Sequence, residues 1–327
     1  MEALYPSSVY PSIAPYRHGF LDRPDGNVLY WEASGSPAGR PALYLHGGPG
    51  SGLGQGAYRR KFNPNGYHII GFDQRGCGRS TPWSIDALNM LDTNTIQAQI
   101  EDIEALRQHL GIERWLLHGI SWGSTLALAY ALEHPERCSA VVLMAVTSGS
   151  REEIDWITDK IGWLFPEVWH DFAQHAGTLR PAEGYAKLLR DPDPSVRARA
   201  ADLWDHWETI HVSLGPYHGT EPLHPDRRQR ENFATQVTHY WSHDCFLPGQ
   251  LRIVDRIHQL EGIPGVLLHG RLDVSCPAEI PWRLWKRWPG STLHIEESEG
   301  HGGPILAERT IEATDALRAT ISIPTTS

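Results

Sequence analysis

Residues 118–131 read HGISWGSTLALAYA. The apolar run Trp115-Leu116-Leu117 before them predicts the end of a buried strand. Leu126, Ala127, Tyr130 and Ala131 after them carry helical spacing. Between the two lies Gly119-Ile120-Ser121-Trp122-Gly123, a G-x-S-x-G at a strand-to-helix junction. That context marks a nucleophile elbow. A serine at the tip of so sharp a turn sits in strained backbone, and side chains two positions away would collide with neighbouring elements. Glycines at 119 and 123 remove the collision. The turn pushes the Ser121 hydroxyl outward and aims the free N–H groups of the next helix at it.

Working outward, residues 41–45 (PALYL) predict a buried strand that opens into His46-Gly47-Gly48-Pro49-Gly50. A loop of this kind leaves backbone N–H groups unobstructed, and a negative oxygen forming beside the elbow needs two of them. Trp122 would supply one, and Gly47 or Gly48 the other. A further strand over 67–72 runs into Asp73-Gln74-Arg75-Gly76-Cys77-Gly78-Arg79-Ser80, a loop read as mainly structural, with Asp73 and Arg75 fixing backbone. A strand over 28–33, a helix over 95–110, a strand over 114–118 and a strand over 138–146 complete the first part. Residues 1–26, rich in proline and polar groups, read as an extended lead-in.

Composition then changes. Residues 148–250 hold amphipathic, tryptophan-bearing segments, including EEIDWITDKIGWLF and VRARAADLWDHWETI, interrupted by the polar GPYHGTEPLHPDRRQR. Alternation resumes with a strand over 265–269, a helix over 277–288, a strand over 292–295 and a helix over 305–321. The expected class is α/β, with a mostly parallel sheet, helices on both faces and an inserted helical cap. The expected division is core over 1–147, cap over 148–250 and core again over 251–327.

The net charge of −10 argues against nucleic acid or an anionic membrane as a partner. No apolar run is long enough to predict a membrane span, and the first residues lack the basic and apolar regions of a signal peptide. Cys77, Cys138, Cys245 and Cys276 show no C-x-x-C pairing and read as free thiols of a reducing, cytoplasmic compartment. The 18 histidines form no zinc-binding spacing, so no metal or other cofactor is expected.

A serine hydroxyl needs a histidine to take its proton and a carboxylate to orient that histidine. Asp273 follows the 265–269 strand in His-Gly-Arg-Leu-Asp, and His301 follows the 292–295 strand in Glu-Gly-His-Gly-Gly. Both fall at the same sheet edge as Ser121, in the chain order Ser, Asp, His. His294 competes as the base but lies inside a strand.

These motifs resemble the α/β-hydrolase superfamily and, within it, the prolyl aminopeptidase (proline iminopeptidase) family. HGGPG, DQRGCGRS, SWGSTLALAYALEHP and HGRLD carry the resemblance, which spans nearly the whole chain. It implies Ser121, Asp273 and His301 as a triad. It also implies a cap glutamate that binds the substrate's amino group, and Trp204-Asp205-His206-Trp207-Glu208 resembles the family's W-x-x-W-E stretch. Glu208 is the expected anchor, with Trp204, Trp207 and Trp241 as walls of an apolar ring pocket. Two positions depart from the pattern. Val237 stands where the family supplies a second glutamate, and Met144 stands where it tends to carry arginine.

The expected activity is therefore release of N-terminal proline, or a similar small residue, from peptides through an acyl-enzyme. The alternative is hydrolysis of another small amide, ester or lactone, in specialised metabolism. A binding protein without activity conflicts with the intact Ser121, Asp273 and His301 set. Epoxide hydrolase or dehalogenase chemistry needs a carboxylate where Ser121 stands.

Overall fold

The computed structural model describes residues 9–212, 214 and 223–320. Among the described residues eight strands form one sheet: β1 (Arg17–Asp22), β2 (Val28–Gly35), β3 (Arg40–Leu45), β4 (Tyr67–Phe72), β5 (Trp115–Ile120), β6 (Cys138–Met144), β7 (Gly265–Gly270) and β8 (Ser291–Glu296). Their order across the sheet is β1-β2-β4-β3-β5-β6-β7-β8. β1 pairs antiparallel with β2, and β2 with β4; every later pairing is parallel. Parallel strands covered on both faces read as near-continuous apolar runs, which is how β5 and β6 are written.

Helices α1 (Ile96–His109) and α2 (Trp122–Glu133) pack on one face, where Ile103, Leu106, Leu126 and Tyr130 join Leu43, Phe72 and Leu117 in one buried cluster. The last helix, Pro304–Thr320, packs on the other, with Leu306 and Leu317 against Ala42, Ile69, Val142 and Leu268. α2 is buried almost all round, so its sequence is apolar on every side rather than on one stripe.

Between β6 and β7 the chain leaves the sheet, and the described residues there form the helices α3 (Arg151–Thr158), α4 (Pro166–Ala176), α5 (Pro181–Leu188), α6 (Pro194–Val212) and α7 (Arg227–Ser242). They enclose a separate apolar cluster built on Phe172, Tyr185, Trp204, Trp207, Phe233 and Val237. After them come short helical turns over 249–260, then α8 (Glu279–Arg287) and the closing helix, here α9 (Pro304–Thr320).

The expected strands and helices are present with ends shifted by a residue or two. The main correction is at the start, where the expected extended lead-in contains β1. RHGFLD lacks an apolar run, and its residues stay largely exposed. Backbone pairing with β2, not side-chain burial, makes this edge a strand. The short turns over 249–260 also went unforeseen. Of the polar stretch 215–230, residues 215–222 lie outside the described residues.

Candidate active site

The elbow is built by backbone sterics. Ser121 holds φ 55° and ψ −125°, a region that side-chain-bearing residues rarely occupy. A Cβ at Gly123 would stand 2.0 Å from the Leu45 carbonyl oxygen, and one at Gly119 2.2 Å from that of Gly123. Only glycine lets α2 approach β3 and β5 this closely. The strained peptide is pinned on both sides. Its N–H donates to the Met144 carbonyl at 3.0 Å. Its carbonyl accepts from Ser124 N–H at 2.7 Å, Ser124 Oγ at 2.6 Å and Thr147 Oγ1 at 2.9 Å.

The loop after β3 lies against this turn: a Cβ at Gly47 would stand 3.3 Å from Ser121 Cβ. Gly48 has φ +112°, a conformation that favours glycine. Gln74 ties the loop to the elbow. Its N–H donates to His46 Nε2 at 3.1 Å, its side-chain amide donates to the His46 carbonyl at 3.0 Å, and its amide oxygen accepts from Trp122 Nε1 at 2.9 Å. With Nε2 accepting, His46 carries its proton on Nδ1, which donates to the Gly47 carbonyl at 2.9 Å. The rest of that stretch is structural, with Asp73 holding backbone and Arg75 holding another side chain. Asp73 accepts from the N–H groups of Leu53 and Arg79, and Arg75 makes a two-pronged pair with buried Asp102 at 2.7 Å.

Asp273 and His301 meet although 28 residues separate them: Nδ1 of His301 lies 2.9 Å from Asp273 Oδ2. Each is held by neighbours the sequence did not single out. His269 at the end of β7 accepts from Val146 N–H at 3.0 Å through Nδ1, so Nε2 donates to the Cys276 carbonyl at 2.6 Å. That bridge fixes the turn carrying Asp273, whose Oδ1 accepts from Cys276 N–H at 3.0 Å. Glu299 accepts from the N–H groups of Ile305 and Leu306 at 2.7 and 2.8 Å, which locks the His301 loop to the start of α9.

Burial alone would push the Asp273 carboxyl up, but the His301 imidazole, with His269 and the Cys276 N–H, holds it below the usual carboxylate range. Burial alone would push the His301 imidazole down, but Asp273 outweighs it, aided by Glu208, and the net direction is up.

Ser121, His301, Trp122 and Gly48 line one cavity of about 80 Å³ with the cap residues Glu208 and Trp241. A single water needs ~10–15 Å³ by this measure, so the space suits a small acyl group. Ser121 and His301 make no direct hydrogen bond to each other among the described residues; such bonds often tighten only when substrate is bound. Glu208 is buried, and Trp204 Nε1 donates to its Oε1 at 2.8 Å. Burial pushes its carboxyl up to about 8 against the lowering pull of that hydrogen bond.

The other two expected wall residues sit elsewhere. Trp204 and Trp207 are fully buried within the cap's own cluster and do not line the cavity, because their faces of α6 pack on Phe172 and Tyr185. Val237 is buried in the same cluster. Met144 lies under the His301 loop, with its methyl 3.9 Å from where a Gly302 Cβ would stand. The cavity also exposes residues the sequence reading passed over: Thr147, Glu153, His211, Ser275 and Cys276. Glu153 is occupied in capping α3, taking N–H and hydroxyl donors from Ser148 and Ser150. One group of possible metal ligands occurs among the described residues: Asp273, Cys276 and His301, within 4.8 Å of one another. Two of these are already joined in the imidazole–carboxylate hydrogen bond, and burial pushes the Cys276 thiol up, away from its metal-binding form.

Residues 41–307 match the alpha/beta hydrolase fold family. A probable proline iminopeptidase of Streptomyces coelicolor is 43% identical over 318 residues, covering 94% of this chain and 97% of that protein. The proline iminopeptidase of Arabidopsis thaliana is 35% identical, covering 95% of this chain and 82% of that protein. Among solved structures, VinJ has a TM-score of 0.65 at 18% identity, covering 94% of this chain and all of that one. The proline iminopeptidase of Mycobacterium smegmatis has a TM-score of 0.58 at 18% identity, covering 93% and 96%. At that identity the structural likeness speaks for the fold alone. No helix among the described residues is long and apolar enough to cross a membrane.

Proposed function

The chain belongs to the alpha/beta hydrolase fold family and to its proline iminopeptidase branch, and we propose on that premise that it releases N-terminal proline, or a similar small residue, from short peptides. The observation that carries this reading is one cavity lined by Ser121, by the His301 that pairs with Asp273, and by the buried carboxyl of Glu208.

In this reading His301 Nε2 takes the Ser121 proton as Oγ attacks the scissile carbonyl. Asp273 holds the imidazole in that tautomer and balances the imidazolium that forms. The N–H of Trp122, with that of Gly47 or Gly48, receives the oxyanion. His301 then protonates the leaving amine, and water repeats the steps on the acyl-enzyme. Glu208 recognises the free amine. Its raised pKa means that the empty site favours the neutral acid near pH 7, and an arriving ammonium stabilises the charged form. The cap that carries Glu208 comprises residues 148–250, inserted into a core of 1–147 and 251–327. The four cysteines are unpaired thiols, which fits a reducing, cytoplasmic setting.

The test compares prolyl p-nitroanilide with its N-acetyl form. Cleavage of the first alone supports the reading; equal rates contradict it. A second reading, hydrolysis of another small amide, ester or lactone, draws on Val237, which offers no second carboxylate. Aryl esters cleaved far faster than any amino-acid amide would favour it.

A further inference from the structure

His211 stands one helical turn beyond Glu208 on α6, and both line the cavity. The imidazole is 2% exposed. Its Nδ1 lies 2.7 Å from Ser275 Oγ, and Ser275 is two residues past Asp273. Its Nε2 has no hydrogen-bond partner among the described residues. A buried polar nitrogen without a partner is costly to keep, so an uncommitted one in the wall of a substrate cavity calls for a ligand. Burial pushes this imidazole down to about 3, against the weaker raising pull of Asp273, so the ring is neutral at working pH. With Nδ1–H donating to Ser275, Nε2 presents a lone pair.

The substrate amine under the proposed function, on which this inference rests, is a secondary ammonium with two N–H bonds. Glu208 can take one. The second needs another acceptor, and Val237 on the neighbouring helix is packed into the cap's apolar cluster. We infer that His211 is the second amine acceptor: Nε2 takes one N–H of the N-terminal proline while Glu208 takes the other. Ser275 Oγ accepts from Nδ1–H in the tautomer that makes this possible. A positively charged imidazole could not accept, and an apolar residue at 211 would leave one N–H of the bound ammonium buried and unsatisfied.

The experiment uses substrates that differ by one N–H. Prolyl p-nitroanilide has two, and the N-methylprolyl compound has one when protonated, which the charged Glu208 takes. Wild type should prefer the prolyl compound by roughly ten- to a hundredfold in kcat/KM, the range of one hydrogen bond to a charged group. His211→Phe, close in shape and packed edge-on to Trp207 at 5.5 Å, should lower kcat/KM for the prolyl compound by that factor, mainly through KM. It should change the N-methylprolyl compound by less than about threefold. His211→Gln keeps an acceptor and should restore part of the loss. Labelling of Ser121 by a fluorophosphonate at the wild-type rate shows that each variant is folded. Equal wild-type rates on the two substrates would overturn the inference without any variant, as would equal losses on both in His211→Phe. If wild type instead cleaves N-acetylprolyl p-nitroanilide as fast as the free amine, the proposed function itself fails, and the inference with it.

Discussion

Ser121 and Glu208 line the same cavity, yet the molecule holds them by different means. Ser121 is fixed by backbone: two glycines that admit no Cβ, a strained φ, and four hydrogen bonds to its peptide group. Glu208 is fixed by side chains, through the Trp204 indole and the aromatic cluster of the cap. The sheet edge is therefore a site whose geometry is written locally in the chain. The cap wall is a site whose geometry depends on which face of each helix finds the core. Under the proposed function, reaction chemistry resides in the first and substrate choice in the second.

Experiments that separate these two parts range widely in expected effect. Ser121→Ala should lower kcat by about 10⁴-fold or more with little change in folding, read from arylamide turnover and a thermal melt. Gly123→Ala meets the Leu45 carbonyl, so the backbone must shift; a loss of about 3 kcal/mol in urea unfolding is expected. A fully stable variant would mean that this turn is not held as described. Glu208→Gln should cut kcat/KM on prolyl p-nitroanilide by roughly ten- to a hundredfold and leave a small aryl ester nearly unchanged. An equal loss on both substrates would place Glu208 in the reaction rather than in recognition. Gln74→Leu should lower kcat by about tenfold with KM preserved, because it frees both sides of the oxyanion site at once.

The pH profile reports on the first region. The base must be neutral to accept the Ser121 proton, so activity falls as pH drops through its pKa. That pKa is raised by Asp273. The acid limb of kcat/KM should therefore lie above about 6.5, the ordinary histidine value. Glu208→Gln should leave it nearly in place, because burial pushes the Glu208 carboxyl up to about 8 and it is already neutral in the free enzyme at that pH. An acid limb below 6 in wild type would contradict the pairing of His301 with Asp273.

The contrast also explains what the sequence could tell. G-x-S-x-G, HGGPG and HGRLD are short, and each glycine answers a local steric demand, so the elbow and its partners could be read from the chain. Asp273 and His301 followed because a parallel sheet brings strand ends to one edge. The cap did not yield in the same way. Trp204, Trp207, Glu208 and His211 lie on neighbouring positions of one helix, and composition does not say which of them meet the cavity. The two tryptophans went to the cap core, and His211, one turn from Glu208, was the signal that sequence reading could have used. β1 was missed for the opposite reason: backbone pairing holds it, and that leaves no apolar pattern.

The most direct test of the central claim is to locate the covalent adduct of a fluorophosphonate by mass spectrometry. The account predicts one adduct, on Ser121, formed at least about a hundredfold more slowly in His301→Ala and Asp273→Asn. An adduct on another residue, or labelling of Ser121 at an unchanged rate in both variants, would contradict it.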